Sequence, residues 1–167
     1  MRPARSVAGT PLYQTPVLPE WIDYNGHLRD AYYALIVSQA SDALMDRVGL
    51  DATYRARTRC TLYTVEMHIH YLHEVRQTDT VTVAVRICGV DHKRIHAAFE
   101  LARAGQPDIV ATAEVMMLHV RQGREVSTVP FPAEVSAALA ELQAAGAGLP
   151  AAGPGSRRME LPQPRRA

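Results

Sequence analysis

The apolar positions of this chain change period along its length, and those changes divide it into elements. Between residues 30 and 48, Tyr33, Val37, Ala40, Leu44 and Val48 recur at helical spacing. Asp30 has the chemistry of an N-cap, and Gly49 that of the residue just past a C-cap. Ala31, Ala34, Ala40, Ala43, Ser38 and Ser41 keep the helix slim on several sides, so other structure can surround it closely. From Cys60 the period falls to two. Val65, Met67, Ile69 and Tyr71 then share one face, and Glu66, His68 and His70 share the other. Residues 80–90, 94–104 and 109–121 read as three further strands, separated by short turns at Gly105-Gln106-Pro107-Asp108 and around Asp91. A short strand at 12–18 ends at Pro19, and a last helix spans 132–145 with Val135, Leu139 and Leu142 on one side.

Short connections between consecutive strands imply an antiparallel meander. One long apolar helix followed by four long strands is an α+β layer solution: a central helix wrapped by a curved antiparallel sheet of five or six strands. Residues 1–10 read as a flexible leader and 11–145 as the domain. Residues 146–167 read as a disordered Gly/Pro/Arg tail in which Arg157, Arg158, Arg165 and Arg166 are solvated. An edge strand on such a sheet is a pairing liability, and pairing with a second copy removes it. The expectation is a homodimer, or a dimer of dimers.

Composition narrows the function. With 167 residues, 47% of them apolar, the chain can bury ~70% of the surface its unfolded form exposes, without metal or disulfide staples. A net charge of +1 speaks against a nucleic-acid partner, which needs a marked basic excess. Lys93 is the sole lysine, so cationic contacts fall to arginine forks. Cys60 and Cys88 sit in apolar, strand-like surroundings and read as buried free thiols. No apolar run reaches the ~18 residues of a membrane span, and the first residues lack a secretory apolar stretch, so the expected location is the cytoplasm. There is no glycine-rich phosphate loop and no G-x-S-x-G elbow.

The densest chemistry lies in Asp23-Tyr24-Asn25-Gly26-His27, where a carboxylate, an amide and an imidazole fall at i, i+2 and i+4. Asn25-Gly26 is turn chemistry, and the segment runs into the long helix. Asp23 can serve as nucleophile or general base, with Asn25 and His27 positioning it or the attacked carbonyl. Backbone N–H groups near Gly26, His27 and the helix start offer an oxyanion site. The competing structural role is a capped loop, in which Asp23 and Asn25 satisfy backbone donors.

Residues 19–33, P-E-W-I-D-Y-N-G-H-L-R-D-A-Y-Y, resemble the D-x-x-G-H-x-N motif of hotdog-fold acyl-CoA thioesterases of the 4-hydroxybenzoyl-CoA thioesterase type. The resemblance implies the hotdog fold, hydrolysis of a small acyl-CoA with no metal or organic cofactor, and Asp23 as the catalytic carboxylate near a subunit interface. The D-x-N-x-H spacing is also similar to the catalytic loop of plant acyl-ACP thioesterases, which carry a further acidic residue on the next strand; Glu66 is its counterpart here. The chain departs from the motif at Arg29, where the family often has Asn; an ion pair from Arg29 to Asp30 or to a partner chain is the expected replacement. Within the family, W-I-D-Y-N-G-H, D-A-Y-Y, Y-T-V-E-M-H-I-H-Y-L, D-H-K-R-I-H and A-T-A-E-V-M-M-L-H-V look most like betainyl-CoA thioesterases of carnitine breakdown. A trimethylammonium head calls for an aromatic cage, and Trp21, Tyr24, Tyr32, Tyr33 and Tyr63 are its expected walls.

For the CoA phosphates, the resemblance points to His92, Lys93 and Arg94. Arg55, Arg57 and Arg59 form a second basic stretch, spaced to share one side of an extended segment. Two alternatives stand beside this reading. His68-x-His70 with Glu74 has the spacing of the first metal motif of cupins, although Leu62 stands where that motif has glycine and its later histidine motif is missing. The other alternative is a non-catalytic module that binds acyl-CoA.

Overall fold

The computed structural model describes residues 7–106 and 108–149. The leader before residue 7 and the tail beyond residue 149 lie outside the described residues. The elements are β1 (Thr10–Pro16), α1 (Asp30–Arg47), α2 (Ala52–Thr58), β2 (Cys60–Tyr71), β3 (Thr80–Val90), β4 (Arg94–Arg103), β5 (Ile109–Arg121), β6 (Ser127–Thr128) and α3 (Ala133–Ala145). One antiparallel sheet runs in the order β1-β3-β4-β5-β2, with β6 paired to the end of β5.

The period-two residues explain the core. Val81, Val83, Val85 and Ile87 of β3, Ile95, Ala97, Phe99 and Leu101 of β4, and Ala113, Val115 and Met117 of β5 form one cluster with α1. The helix buries Tyr33, Ile36, Val37, Ala40, Leu44 and Met45, and it touches both edge strands, β1 and β2, so the sheet curls around it. Full burial of each large side chain contributes about 1.5–3 kcal/mol. Ser41 is buried among them because its Oγ donates to the Val37 carbonyl at 2.9 Å. Gly49, at φ 86°, takes the left-handed position that ends the helix, and the Leu50 N–H closes back on Met45 O at 2.8 Å.

Four local expectations change. Asp30 is the first helical residue rather than the N-cap, which is Arg29; the Asp30 carboxylate accepts the Ala31 N–H at 2.9 Å. The arginine stretch is not extended: Asp51 caps a short helix by accepting the Tyr54 N–H at 2.8 Å, and Arg55 and Arg57 lie in its last turn. Cys60 is buried but Cys88 is exposed. Val65 leaves the core face, because β2 carries a bulge between Thr64 and Glu66. The extra residue lets Leu62 before it and Met67 and Ile69 after it all pack on the core, while Val65 itself is 57% exposed.

Candidate active site

The loop entering α1 is a miniature hairpin. Ile22 and Leu28 bridge, the Asp23 N–H donates to His27 O at 2.9 Å, and the Gly26 N–H donates to Asp23 O at 3.1 Å. Gly26 has φ 81°, a conformation that glycine adopts without a Cβ penalty. Two anchors fix the hairpin: Arg29 N–H to Trp21 O at 2.9 Å, and Leu28 N–H to Val75 O at 2.7 Å. Trp21 is buried and stacks on Tyr32, ring centroids 5.4 Å apart.

Inside this turn Asp23 uses one carboxylate oxygen structurally. Its Oδ1 accepts the N–H groups of Asn25 at 2.8 Å and His27 at 3.2 Å. Among the described residues its Oδ2 meets only the Asn25 side-chain amide, at a long 3.4 Å. The His27 backbone bond, with help from Asn25, holds the Asp23 carboxyl below its ordinary pKa, so the group is an anion at neutral pH. The capped-loop role and a reactive oxygen therefore coexist on one side chain. The N–H groups of Gly26 and His27, expected as oxyanion donors, are consumed within the turn; at the start of α1 the Ala31 N–H goes to the Asp30 carboxylate and the Tyr32 N–H to Arg29 O, so among the described residues the Asp30 N–H is the helix-start donor left for that task.

Asp23 opens onto a cleft of about 940 Å³. The turn and the start of α1 contribute His27, Arg29, Asp30 and Tyr33; the segment leading from β2 to β3 contributes Tyr71, His73, Glu74, Arg76 and Asp79; β4 contributes Arg103. His27 Nε2 lies 3.0 Å from Glu74 Oε2, a pair that ties the turn to the opposite wall. Tyr33 and Tyr71 meet edge to face, centroids 5.1 Å apart and planes at 84°. Burial, reinforced by the acidic groups of Tyr71, Asp79 and Glu74, pushes the Tyr33 phenol up to about 12. Arg29 lines the cleft and makes no ion pair with Asp30 among the described residues.

The other expected residues scatter. Of the five expected cage aromatics only Tyr33 lines the cleft. Trp21 and Tyr32 stack on each other, Tyr24 is 94% exposed at the tip of the turn, and the Tyr63 hydroxyl accepts from Gln122 Nε2 at 3.1 Å. Glu66 is outside the cleft and bonds His68 Nε2 at 2.7 Å. The expected metal trio is thereby split: His68 pairs with Glu66 and Glu74 with His27, and no group of three or more metal-ligating side chains forms among the described residues. His92, Lys93 and Arg94 turn the corner from β3 to β4, at the opposite end of β4 from Arg103, roughly 30 Å away at ~3.3 Å per residue. Asp91 already neutralises Arg94, at 2.6 Å, and accepts the N–H groups of Lys93 and Arg94; these bonds hold its carboxyl far below the usual range. Glu74 was expected in a metal trio and Tyr71 on a strand face, and neither at the Asp23 cleft. Tyr71 shares the parity of Met67 and Ile69, which was its one available signal.

A family model described as "Thioesterase-like superfamily" matches residues 17–139. The chain belongs to the thioesterase-like superfamily. Betainyl-CoA thioesterase of Pseudomonas aeruginosa is 45% identical over 138 residues, 83% of this chain and 86% of that protein. A Rhizobium meliloti protein named L-carnitine dehydrogenase/betainyl-CoA thioesterase is 38% identical over 128 residues, 77% of this chain; there the chain spans only 25% of the relative. Among solved structures, a protein of Pseudomonas putida KT2440 assigned to the thioesterases superposes with a TM-score of 0.82 at 41% identity, covering 94% of this chain and 99% of that one. A hypothetical protein of Staphylococcus aureus in complex with CoA gives a TM-score of 0.82 at 27% identity, covering 95% and 100%.

The curled sheet around α1 is thus the hotdog fold, and the chain is a thioesterase. For a thioesterase the cleft supplies what acyl transfer requires. It has a carboxylate oxygen with no close partner among the described residues, an unused N–H on Asp30 at the start of α1, and an imidazole–carboxylate pair that ties His27 to Glu74.

Proposed function

We propose that this thioesterase hydrolyses betainyl-CoA to betaine and CoA, with Asp23 as its catalytic group. The carrying observation is the Asp23 turn: Asp23 lines the cleft, its Oδ1 is spent on two backbone N–H groups, and among the described residues its Oδ2 meets no more than the Asn25 amide at 3.4 Å. The substrate choice is supported by the 45% identity to a betainyl-CoA thioesterase. Oδ2 either attacks the thioester carbonyl to give a mixed anhydride, with CoA leaving as thiolate and water then cleaving the anhydride to betaine and free Asp23, or takes a proton from the water that attacks the carbonyl and expels the CoA thiolate. Asn25 and His27 hold the carboxylate, and Glu74 holds His27. The Asp30 N–H, at the start of α1, receives the oxyanion. The reaction needs only water, so no cofactor enters this reading. Acting on a CoA ester, the enzyme works in the cytoplasm.

The working unit is a homodimer. β2 is twelve residues long and its outer edge has no strand partner among the described residues. Two-fold antiparallel pairing along that edge brings the β3–β4 hairpin end of one copy to the cleft end of the other. The basic hairpin, distant within one chain, then approaches the cleft of the second copy, where CoA phosphates meet Lys93 or Arg94.

The test is thiol release from a panel of acyl-CoAs, with betainyl-CoA among short neutral esters. Preferential turnover of betainyl-CoA is the expected result. Turnover of neutral esters alone removes the betaine assignment, and no turnover of any ester favours the binding-module alternative.

A further inference from the structure

Resting on the betainyl-CoA reading, the geometry of the cleft also locates the head group. In a betainyl thioester a single methylene joins the quaternary nitrogen to the reacting carbonyl. The two atoms are therefore roughly 2.5 Å apart, as the same bond lengths dictate for N and C across a backbone Cα. A head this close to the reacting carbon is met by the walls of the Asp23 cleft or by nothing. A trimethylammonium group has no N–H to donate, so hydrogen-bond acceptors cannot select it. Aromatic faces and unpaired negative charge can.

The aromatic residues lining the cleft are Tyr33 and Tyr71. Tyr33 is buried and meets Tyr71 edge to face, fixing its ring, while Tyr71 stays 53% exposed. Its hydroxyl is held at the mouth of the helix, 3.4 Å from Asp30 O. Two carboxylates, Asp79 and Glu74, lie close enough to Tyr33 to act on its phenol through space. Glu74 is committed to His27, and Asp79 Oδ2 accepts the Arg76 N–H at 2.8 Å, which leaves Asp79 Oδ1 open among the described residues. Arg29, Arg76 and Arg103 also line the cleft and repel a cation, whereas the carboxylates of Asp30, which acts on Tyr71, and of Asp79, which acts on Tyr33, favour one at the aromatic corner.

We propose that Tyr71, braced by Tyr33 and aided by the Asp79 carboxylate, is the head-group subsite that makes the enzyme select a quaternary ammonium acyl group. Trp21, Tyr24, Tyr32 and Tyr63 take no part in it.

The experiment compares kcat/KM for betainyl-CoA with that for 3,3-dimethylbutyryl-CoA, which has the same shape with carbon in place of the charged nitrogen. The wild type is expected to prefer the charged ester by at least tenfold, about 1.4 kcal/mol. Tyr71→Leu and Asp79→Asn are each expected to cut that ratio at least threefold, and Tyr71→Phe to keep it. Because the ratio is taken within one variant, any general loss of activity cancels. Should Tyr71→Leu fold poorly, Asp79→Asn and Tyr71→Phe decide alone. A wild-type preference that survives both Tyr71→Leu and Asp79→Asn overturns the subsite and leaves the betainyl-CoA reading standing. A wild type that hydrolyses only the neutral ester overturns both.

Discussion

Replacing Asp23 by Asn separates the two duties of that side chain. The Asn carbonyl oxygen can still accept the N–H groups of Asn25 and His27, now at 2.8 and 3.2 Å. The turn therefore keeps its two shorter bonds, and only the weak 3.4 Å contact from the Asn25 side chain is lost. Thermal stability should move by less than about 3 °C, a small surface effect for a chain of this size. The reacting oxygen, however, has become an amide nitrogen or a carbonyl with no basicity, and loss of a positioned acid–base group typically costs 10²–10⁴-fold. Asp23→Asn should thus lower kcat at least ~100-fold in a thiol-release assay, while still binding CoA by calorimetry. Wild type should show no Asp23 limb in its pH–rate profile above about pH 5, because the carboxyl titrates below its ordinary 3.8. A variant that hydrolyses the ester within fivefold of wild type, with the fold intact, refutes the assignment of Asp23.

Further outcomes follow from burial and pairing. Leu44, fully buried in α1, should cost about 2–5 kcal/mol as Leu44→Ala, lowering Tm by roughly 5–20 °C in calorimetry. His119 is 1% exposed, stacks on Phe131 and bonds Val129 O at 3.0 Å through Nδ1, so its Nε2 accepts from Tyr54 at 3.1 Å. Burial lowers its pKa below 6.5, so the unfolded chain takes up the proton first as pH falls. That contribution is complete above pH 6.5 and lost as pH drops through the folded value, so wild-type Tm should fall more steeply below pH 6.5 than that of His119→Gln; parallel curves count against the buried neutral imidazole. Val65→Asp, at the exposed bulge on the open edge of β2, should shift the sedimentation coefficient from dimer to monomer while each copy keeps its circular dichroism spectrum. An unchanged dimer would place the interface elsewhere.

The elements with long, regular patterns were legible in the sequence. The spine of the buried face of α1 was legible, because Tyr33, Val37, Ala40, Leu44 and Val48 repeat over several turns and are all buried, although Ile36 and Met45 beside them were not read. The four long strands were equally plain. What stayed hidden depends on contacts far apart in the chain or on patterns too short to repeat. The helix α2 has one buried residue, Tyr54, and hence no period; Asp51 as a cap was its only signal. The bulge at Val65 is invisible until Leu62 and Met67 must face the same core. The Asp23 turn was readable because its bonds are local. Its link to Glu74 was not, since 47 positions separate Glu74 from its partner His27. The aromatic walls were misplaced for the same reason: nearness in sequence to Asp23 put Trp21 and Tyr24 ahead of Tyr71, which arrives from the far end of β2.

The division of labour within the Asp23 carboxylate has a consequence for how such an enzyme diversifies. The oxygen that shapes the loop and the oxygen left for the reaction share one short side chain. Glutamate would carry the same charge, but its extra methylene would take Oδ1 out of register with the two N–H groups that define the turn. Mutation can thus redraw the acyl end, at Tyr71 or Asp79, one codon at a time and leave the reagent untouched. Moving the reagent requires a new loop in the same step, so lineages descending from this chain are free to change what they cut far sooner than how they cut it.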